Sequence, residues 1–209
     1  MNIAVIAANG RTGQAFVEVA LATGHSVRAG VRGESHLPQH PNLTTIPCDA
    51  TDPAQVMQLI SGQDAVASFI GHVKGSPPDV QARATAVILQ CMQTTGVRRI
   101  VSLTGTGVRF PGDHITLLDR ILNLAISTID PARVHDGQNH VGLLQQSTAD
   151  WTVIRVLKLQ DIAARPFSLT EHGPTKPYVS RTEAAQAALQ VLTQHTFIRQ
   201  APIISSARQ

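Results

Sequence analysis

Met1-Asn2-Ile3-Ala4-Val5-Ile6-Ala7-Ala8-Asn9-Gly10-Arg11-Thr12-Gly13-Gln14 opens the chain, and the reading of this stretch decides the fold. Ile3 to Ile6 is a short apolar run of strand character that breaks at once into a turn carrying Gly10 and Gly13. An amphipathic run follows, with Ala15, Phe16, Val19, Ala20 and Ala22 at helical spacing. A buried parallel strand that empties into a helix gathers unpaired backbone N–H groups and the positive end of the helix dipole at one spot. A pyrophosphate satisfies both, so the pattern is that of a dinucleotide-binding turn. Ala7 stands where the first of three glycines is expected; Gly10 lets phosphate approach the backbone, and Gly13 lets the first helix pack close to its strand.

Outward from this turn, the pattern repeats. Strands are expected at 2–7, 26–31, 43–47, 64–69, Arg99 to Leu103 and Trp151 to Val156. Helices are expected at 11–23, near 53–60, from about Pro78 to Thr95, and over much of 115–148. Such alternation predicts an α/β protein of one domain spanning 1–209: a Rossmann fold with a parallel twisted sheet and helices on both faces. The Pro-rich stretch at 165–177 reads as an exposed loop, and Arg98-Arg99 as a solvated strand entrance. The apolar stretch Ile115 to Ile129 suits either the core or a contact with a second copy, so a homodimer is one candidate assembly.

Composition bounds the partners. With 209 residues, 43% hydrophobic and 15% charged, the chain buries a substantial core. No apolar run reaches the ~20 residues that cross a bilayer, which argues against a membrane partner, and no export signal precedes the first strand. Two cysteines without paired spacing, Cys48 and Cys91, point to a reducing cytoplasm. The nine histidines show no metal-ligand spacing, so no metal site is expected. A formal charge of +3 spread along the chain, with 3% aromatics, suits a small phosphate-bearing ligand better than nucleic acid.

Two further stretches bear on that ligand. Arg32 ends the second strand 19 residues after Gly13, where a basic residue suits the 2′-phosphate of NADP; Asp or Glu there would suit NAD. Arg11 is a second candidate cation, while Glu34 keeps NAD(H) open. Asp49, in Cys48-Asp49-Ala50-Thr51-Asp52-Pro53, falls at the edge of the third strand within reach of an adenine; Asp52 suits a helix cap before Pro53. Gly71, ending Ser68-Phe69-Ile70-Gly71, permits close approach on the ribose side.

Ala7–Gly13, Val31-Arg32, Cys48–Asp52, Arg98–Gly105, Asp150–Arg155 and Val179–Ala185 together resemble the NAD(P)H-binding, atypical short-chain dehydrogenase/reductase family over nearly the whole chain. Within it the chain is similar to small reductases of the biliverdin reductase B, or flavin reductase, kind; nitrogen-metabolite regulators that bind the cofactor without turnover are more distant. The resemblance implies NADP(H) and a substrate pocket shaped by the C-terminal third, about 106–209. It puts Ala7 and Asn9 to Gly13 around the pyrophosphate, with Arg11 and Thr12 among them. Arg32 falls on the 2′-phosphate and Asp49-Ala50 at the adenine, with Ile70-Gly71, Leu103-Thr104 and Val156 toward the riboses and nicotinamide. Two departures from the family pattern stand out: Gly105 where a second hydroxyl residue is expected, and Val156 where relatives carry proline.

The Tyr-x-x-x-Lys pair of ordinary short-chain dehydrogenases is missing. Tyr178 is the single tyrosine, Thr182 stands four residues on, and the lysines are Lys74, Lys158 and Lys176. Hydride transfer from NADPH to a flavin, a quinone or a similar planar acceptor needs less from the protein, since positioning does most of the catalysis. Thr104, His140 and Lys158 are the candidate catalytic residues. The alternative is a redox sensor that binds NADP(H) without turnover and acts through a protein partner.

Overall fold

The computed structural model describes residues 1–73 and 75–206; Lys74 and residues 207–209 lie outside them. The chain runs β1 (Asn2–Ile6), α1 (Arg11–Ala22), β2 (Ser26–Val31), β3 (Leu43–Pro47), α2 (Pro53–Ile60), β4 (Ala65–Ser68), α3 (Val80–Thr95) and β5 (Arg99–Gly105). It continues through α4 (Leu117–Ile129), α5 (Pro131–Gln146), β6 (Asp150–Val156), β7 (Leu159–Gln160), β8 (Phe167–Thr170), β9 (Val179–Ser180), α6 (Arg181–Thr193) and β10 (Ile203–Ser206). The main sheet has the order β3-β2-β1-β4-β5-β6-β10-β8, all parallel except β8, which pairs antiparallel with β10. The Rossmann architecture is thus as expected, with an antiparallel edge added. A small ladder joins β7 to β9.

Ile3 of β1 is in register with Val27 of β2 on one side and Ala65 of β4 on the other. Because β1 is the point where strand order reverses, a crevice opens beyond the carboxyl ends of β1 and β4. Apolar side chains cover both faces. Phe16, Val17 and Ala20 of α1 pack with Ala184, Ala188 and Leu192 of α6 on one side; Val56 and Leu59 of α2, Ile88 of α3 and Leu144 of α5 pack on the other. Such strands, buried on both faces, read as continuous apolar runs with no alternation.

Two expectations need correction. The segment 165–177 is not simply an exposed loop: β8 lies within it and Thr175 is buried. Its Pro punctuation hides a strand whose partner, β10, arrives much later in the chain. Arg99 is not solvated either. It is 3% exposed, and its guanidinium donates to the carbonyls of Asp150 and Val191 and to Thr152 Oγ1, while Arg98 alone reaches solvent beside Asp150. Burial lowers the Arg99 pKa to about 10. Of the two alternatives open for Ile115 to Ile129, the core is not the one α4 takes. Its one buried side chain is Asp119, while Leu117, Ile121, Leu124 and Ile129 are exposed.

Candidate functional site

Two cavities open along the carboxyl edge of the sheet. The first, about 440 Å³, is lined by the β1–α1 turn (Ala7, Asn9 to Thr12), by Arg32 after β2 and by Cys48 to Thr51 after β3. The second, about 580 Å³, is lined by Leu103, Thr104 and Gly105 of β5, by Val156 to Lys158 at the end of β6, and by inner residues of α4 and α5. Thr12, Phe69 to His72, Leu159 and Arg181 line both, so the cavities share a seam after β4.

The turn is built by close packing. Ala7 adopts φ +59°, the left-handed conformation a glycine takes without strain. A Cβ on Gly13 would lie 2.4 Å from the Ala7 carbonyl oxygen and 2.8 Å from Ala8 Cα, so only glycine lets α1 sit this close to β1. Gly13 lines neither cavity. No side chain caps the N-terminus of α1 at Gly10 and no acid lies in its first turn. By contrast Asp52, Thr116, Asp130 and Ser180 cap α2, α4, α5 and α6. An anion at α1 would meet uncapped N–H groups and the positive dipole end.

Asn9 secures the rim. Its Nδ2 donates to the Glu34 carbonyl at 2.7 Å and its Oδ1 accepts from the His36 N–H at 3.0 Å, which holds the segment after Arg32 against the turn. Glu34 does not line the cleft. Asp49 accepts from the Thr51 N–H and Oγ1, and these bonds, aided by Arg32 and Arg83, hold its carboxyl below the usual range. Asp52 is the α2 cap, as its place before Pro53 implies. Arg11 lines the cleft, but its guanidinium binds Asp161 at 3.0 Å, and Asp161 also binds Arg181. Cys48 and Cys91 are free and buried; burial first, then Asp49 and Asp52, pushes the Cys48 thiol up to about 11.

The second cavity holds Thr104 and Lys158 of the three catalytic candidates. Thr104 is 7% exposed, and Lys158 Nζ lies 5.7 Å from the centre of the Tyr178 ring. His140 is a different case and is set aside. It lines neither cavity and is fully engaged in the core: Nδ1 lies 2.7 Å from Thr85 Oγ1 and Nε2 2.9 Å from Ser102 Oγ. The Thr85 hydroxyl already donates to the Gln81 carbonyl, so Nδ1–H must donate to Thr85 and Nε2 must accept from Ser102. Burial lowers its pKa to about 4, against which Asp136 acts only in part.

The walls of the second cavity are tied by buried polar groups. Arg155 on β6 pairs with Asp113 through both guanidinium nitrogens and also donates to the carbonyls of Ala201 and Glu171. Burial alone would raise Asp113, but Arg155, the Phe110 N–H and Arg109 hold its carboxyl below the usual range. Beneath α4, Asp119 pairs with Arg109 and accepts from Asn123, which also donates to Thr106. The sequence reading passed over His72 and Asp136. Their Nε2···Oδ2 separation is 2.6 Å, and His72 stands on the seam. Only the position of His72 directly after Ile70-Gly71 hinted at it; nothing local pairs it with a residue 64 positions away.

Comparisons with known proteins agree with this geometry. A family model described as NAD(P)H-binding matches residues 7–195, and the chain belongs to that family. A 3-beta-hydroxysteroid dehydrogenase from Mycolicibacterium neoaurum is 29% identical over 132 residues, 57% of this chain; the match spans 36% of that enzyme, about a third of its length. Among solved structures, a short-chain dehydrogenase/reductase from Veillonella parvula in complex with NADP has a TM-score of 0.82 at 16% identity, over 98% of this chain and 94% of that one. A candidate NADH-flavin reductase from Streptococcus pneumoniae has a TM-score of 0.79 at 20% identity, over 99% of this chain and all of that one. These likenesses establish a Rossmann fold.

Proposed function

We propose that the chain is an NADP(H)-dependent reductase that passes hydride from NADPH to a small planar acceptor, a flavin, quinone or similar ring. The observation that carries this reading is the pair of joined cavities: a cleft with an uncapped helix N-terminus and Arg32, opening through His72 into a second cavity of about 580 Å³.

The cleft suits the dinucleotide. In this reading Asn9 to Thr12 surround the pyrophosphate, Arg32 meets the 2′-phosphate and Asp49 with Ala50 meets the adenine. Ile70-Gly71, Leu103-Thr104 and Val156 then border the riboses and nicotinamide. Arg32 on the cleft with Glu34 off it supports NADP(H) over NAD(H). Arg11 contributes only by exchanging Asp161 for phosphate. When bound, NADPH supplies the hydride. The chain orients the acceptor between Leu103, Val156 and Leu157 and shields it from water with α4 and α5. The cytoplasm is the proposed location; among the described residues no helix is long and apolar enough to cross a membrane. A second copy docked on the exposed apolar side of α4 is the proposed assembly, and sedimentation of Leu124→Asp against wild type tests it.

The experiment follows NADPH and NADH absorbance with a panel of flavins, quinones and linear tetrapyrroles, and measures affinities by calorimetry. Acceptor-dependent NADPH oxidation is expected, and Arg32→Ala should weaken NADPH about 10- to 100-fold, the loss of one or two charge-assisted bonds, while NADH changes little. Tight NADP(H) binding without turnover on any acceptor would favour the sensor instead.

A further inference from the structure

We infer that His72, held by Asp136, is the proton donor to the acceptor. The inference rests on the reductase reading above and supplies what that reading lacks, a group that protonates the reduced ring.

Asp136 is 1% exposed, and both of its carboxylate oxygens are engaged. Oδ1 accepts from the Ala82 N–H and Oδ2 from the Gln81 N–H, each at 2.8 Å, so the carboxylate from α5 caps the start of α3. Oδ2 also faces His72 Nε2 at 2.6 Å. A carboxylate oxygen is an acceptor, so Nε2 carries the hydrogen and Nδ1 is the nitrogen left for the cavity; among the described residues Nδ1 makes no hydrogen bond. A carboxylate behind an imidazole fixes its tautomer and ring orientation.

Position selects His72 over its neighbours. It stands where the two cavities meet, directly after Ile70-Gly71, which in the reductase reading border the riboses and nicotinamide. Among the described residues the other ionisable groups on the larger cavity are Arg133, Lys158 and Arg181. Arginine does not give up its proton, and Arg181 is bound to Asp161. Lys158 points its ammonium at the Tyr178 ring, and His140, one turn beyond Asp136, has both nitrogens committed to the core. The step balances: the acceptor gains a hydride from the reduced dinucleotide and a proton from the His72 imidazolium, leaving oxidised dinucleotide and neutral imidazole. Nδ1 then regains its proton from solvent, since the cavities are open.

The test compares wild type and His72→Gln with two acceptors, a quinone, which needs a proton, and an N-methylacridinium cation, which takes a hydride without one. The glutamine amide keeps a donor for Asp136 but transfers no proton. The quinone rate should fall about 100-fold or more and lose its solvent isotope effect, while the acridinium rate and NADPH affinity stay within about threefold. An equal fall with both acceptors, or none with the quinone, overturns the proposal. A wild type inactive with every acceptor overturns the reductase reading itself. A readout independent of turnover is nitrogen NMR of histidine-labelled protein without cofactor. His72 Nε2 should carry a hydrogen, seen as a far-downfield proton that disappears in Asp136→Asn, and a bare Nε2 with the hydrogen on Nδ1 would overturn the proposal. Should Asp136→Asn fail to fold, because its carboxylate caps α3, the tautomer in wild type decides alone.

Discussion

The two cavities share a seam yet are made by different means. The cleft is lined by short stretches that follow consecutive strand ends, 7–12 after β1, 32 after β2 and 48–51 after β3, and its form is a matter of backbone: the positive φ of Ala7, the contact that only Gly13 allows, the bare start of α1. The second cavity is bounded by segments distant in the chain and tied by buried charges, Arg155 to Asp113 and Arg109 to Asp119. Backbone shape resists single side-chain losses and suits a shared ligand. Charged ties fail when one partner is removed, and they let the second cavity take a form of its own on a common frame.

Substitutions can break this contrast. Asp113→Ala should have the largest effect, leaving Arg155 buried without its anion at a cost of about 3–5 kcal/mol in urea unfolding, whereas an equal change in the cleft would contradict the distinction. Acid is the next probe. The folded pKa of His140 lies below its unfolded value, so the histidine stabilises the fold above about pH 6.5 and that contribution is lost as pH falls toward 4, by up to about 3 kcal/mol. Measuring stability against pH should show this slope in wild type and a flatter one in His140→Gln over the same window. Gly13→Ala should cost about 1–3 kcal/mol, because the added methyl meets backbone atoms that cannot swing away, and dinucleotide affinity should fall with it by calorimetry. Ala7→Gly goes the other way: thermal unfolding should show a gain of about 1 kcal/mol as the left-handed strain is relieved.

Much of the fold was legible because β1 to β6 are parallel strands, most of them with buried apolar runs, and their helices start at local signals such as Asp52 before Pro53. The edge beyond β6 was not. β8 owes its strand conformation to β10, with Leu169 opposite Ile204, and a short segment among prolines carries no mark of so distant a partner. Arg99 and His140 were misplaced for a related reason. A charged or titratable side chain reads as solvated, or as reactive, until the groups that satisfy it are known, and those of Arg99 come from β6 and α6.

The sequence by itself determined the Rossmann frame, the turn at 7–13 and the placement of Arg32 and Asp49 along the cleft, since strand periodicity, small residues and turn chemistry act over a few positions. Only the tertiary structure decided the rest: that His140 is a core residue, that α4 turns Asp119 inward and its leucines out, and that His72 meets Asp136 where the two cavities join. These depend on which buried polar groups satisfy one another across the fold, and the partners of His72 and His140 lie 38 to 64 positions away in the chain.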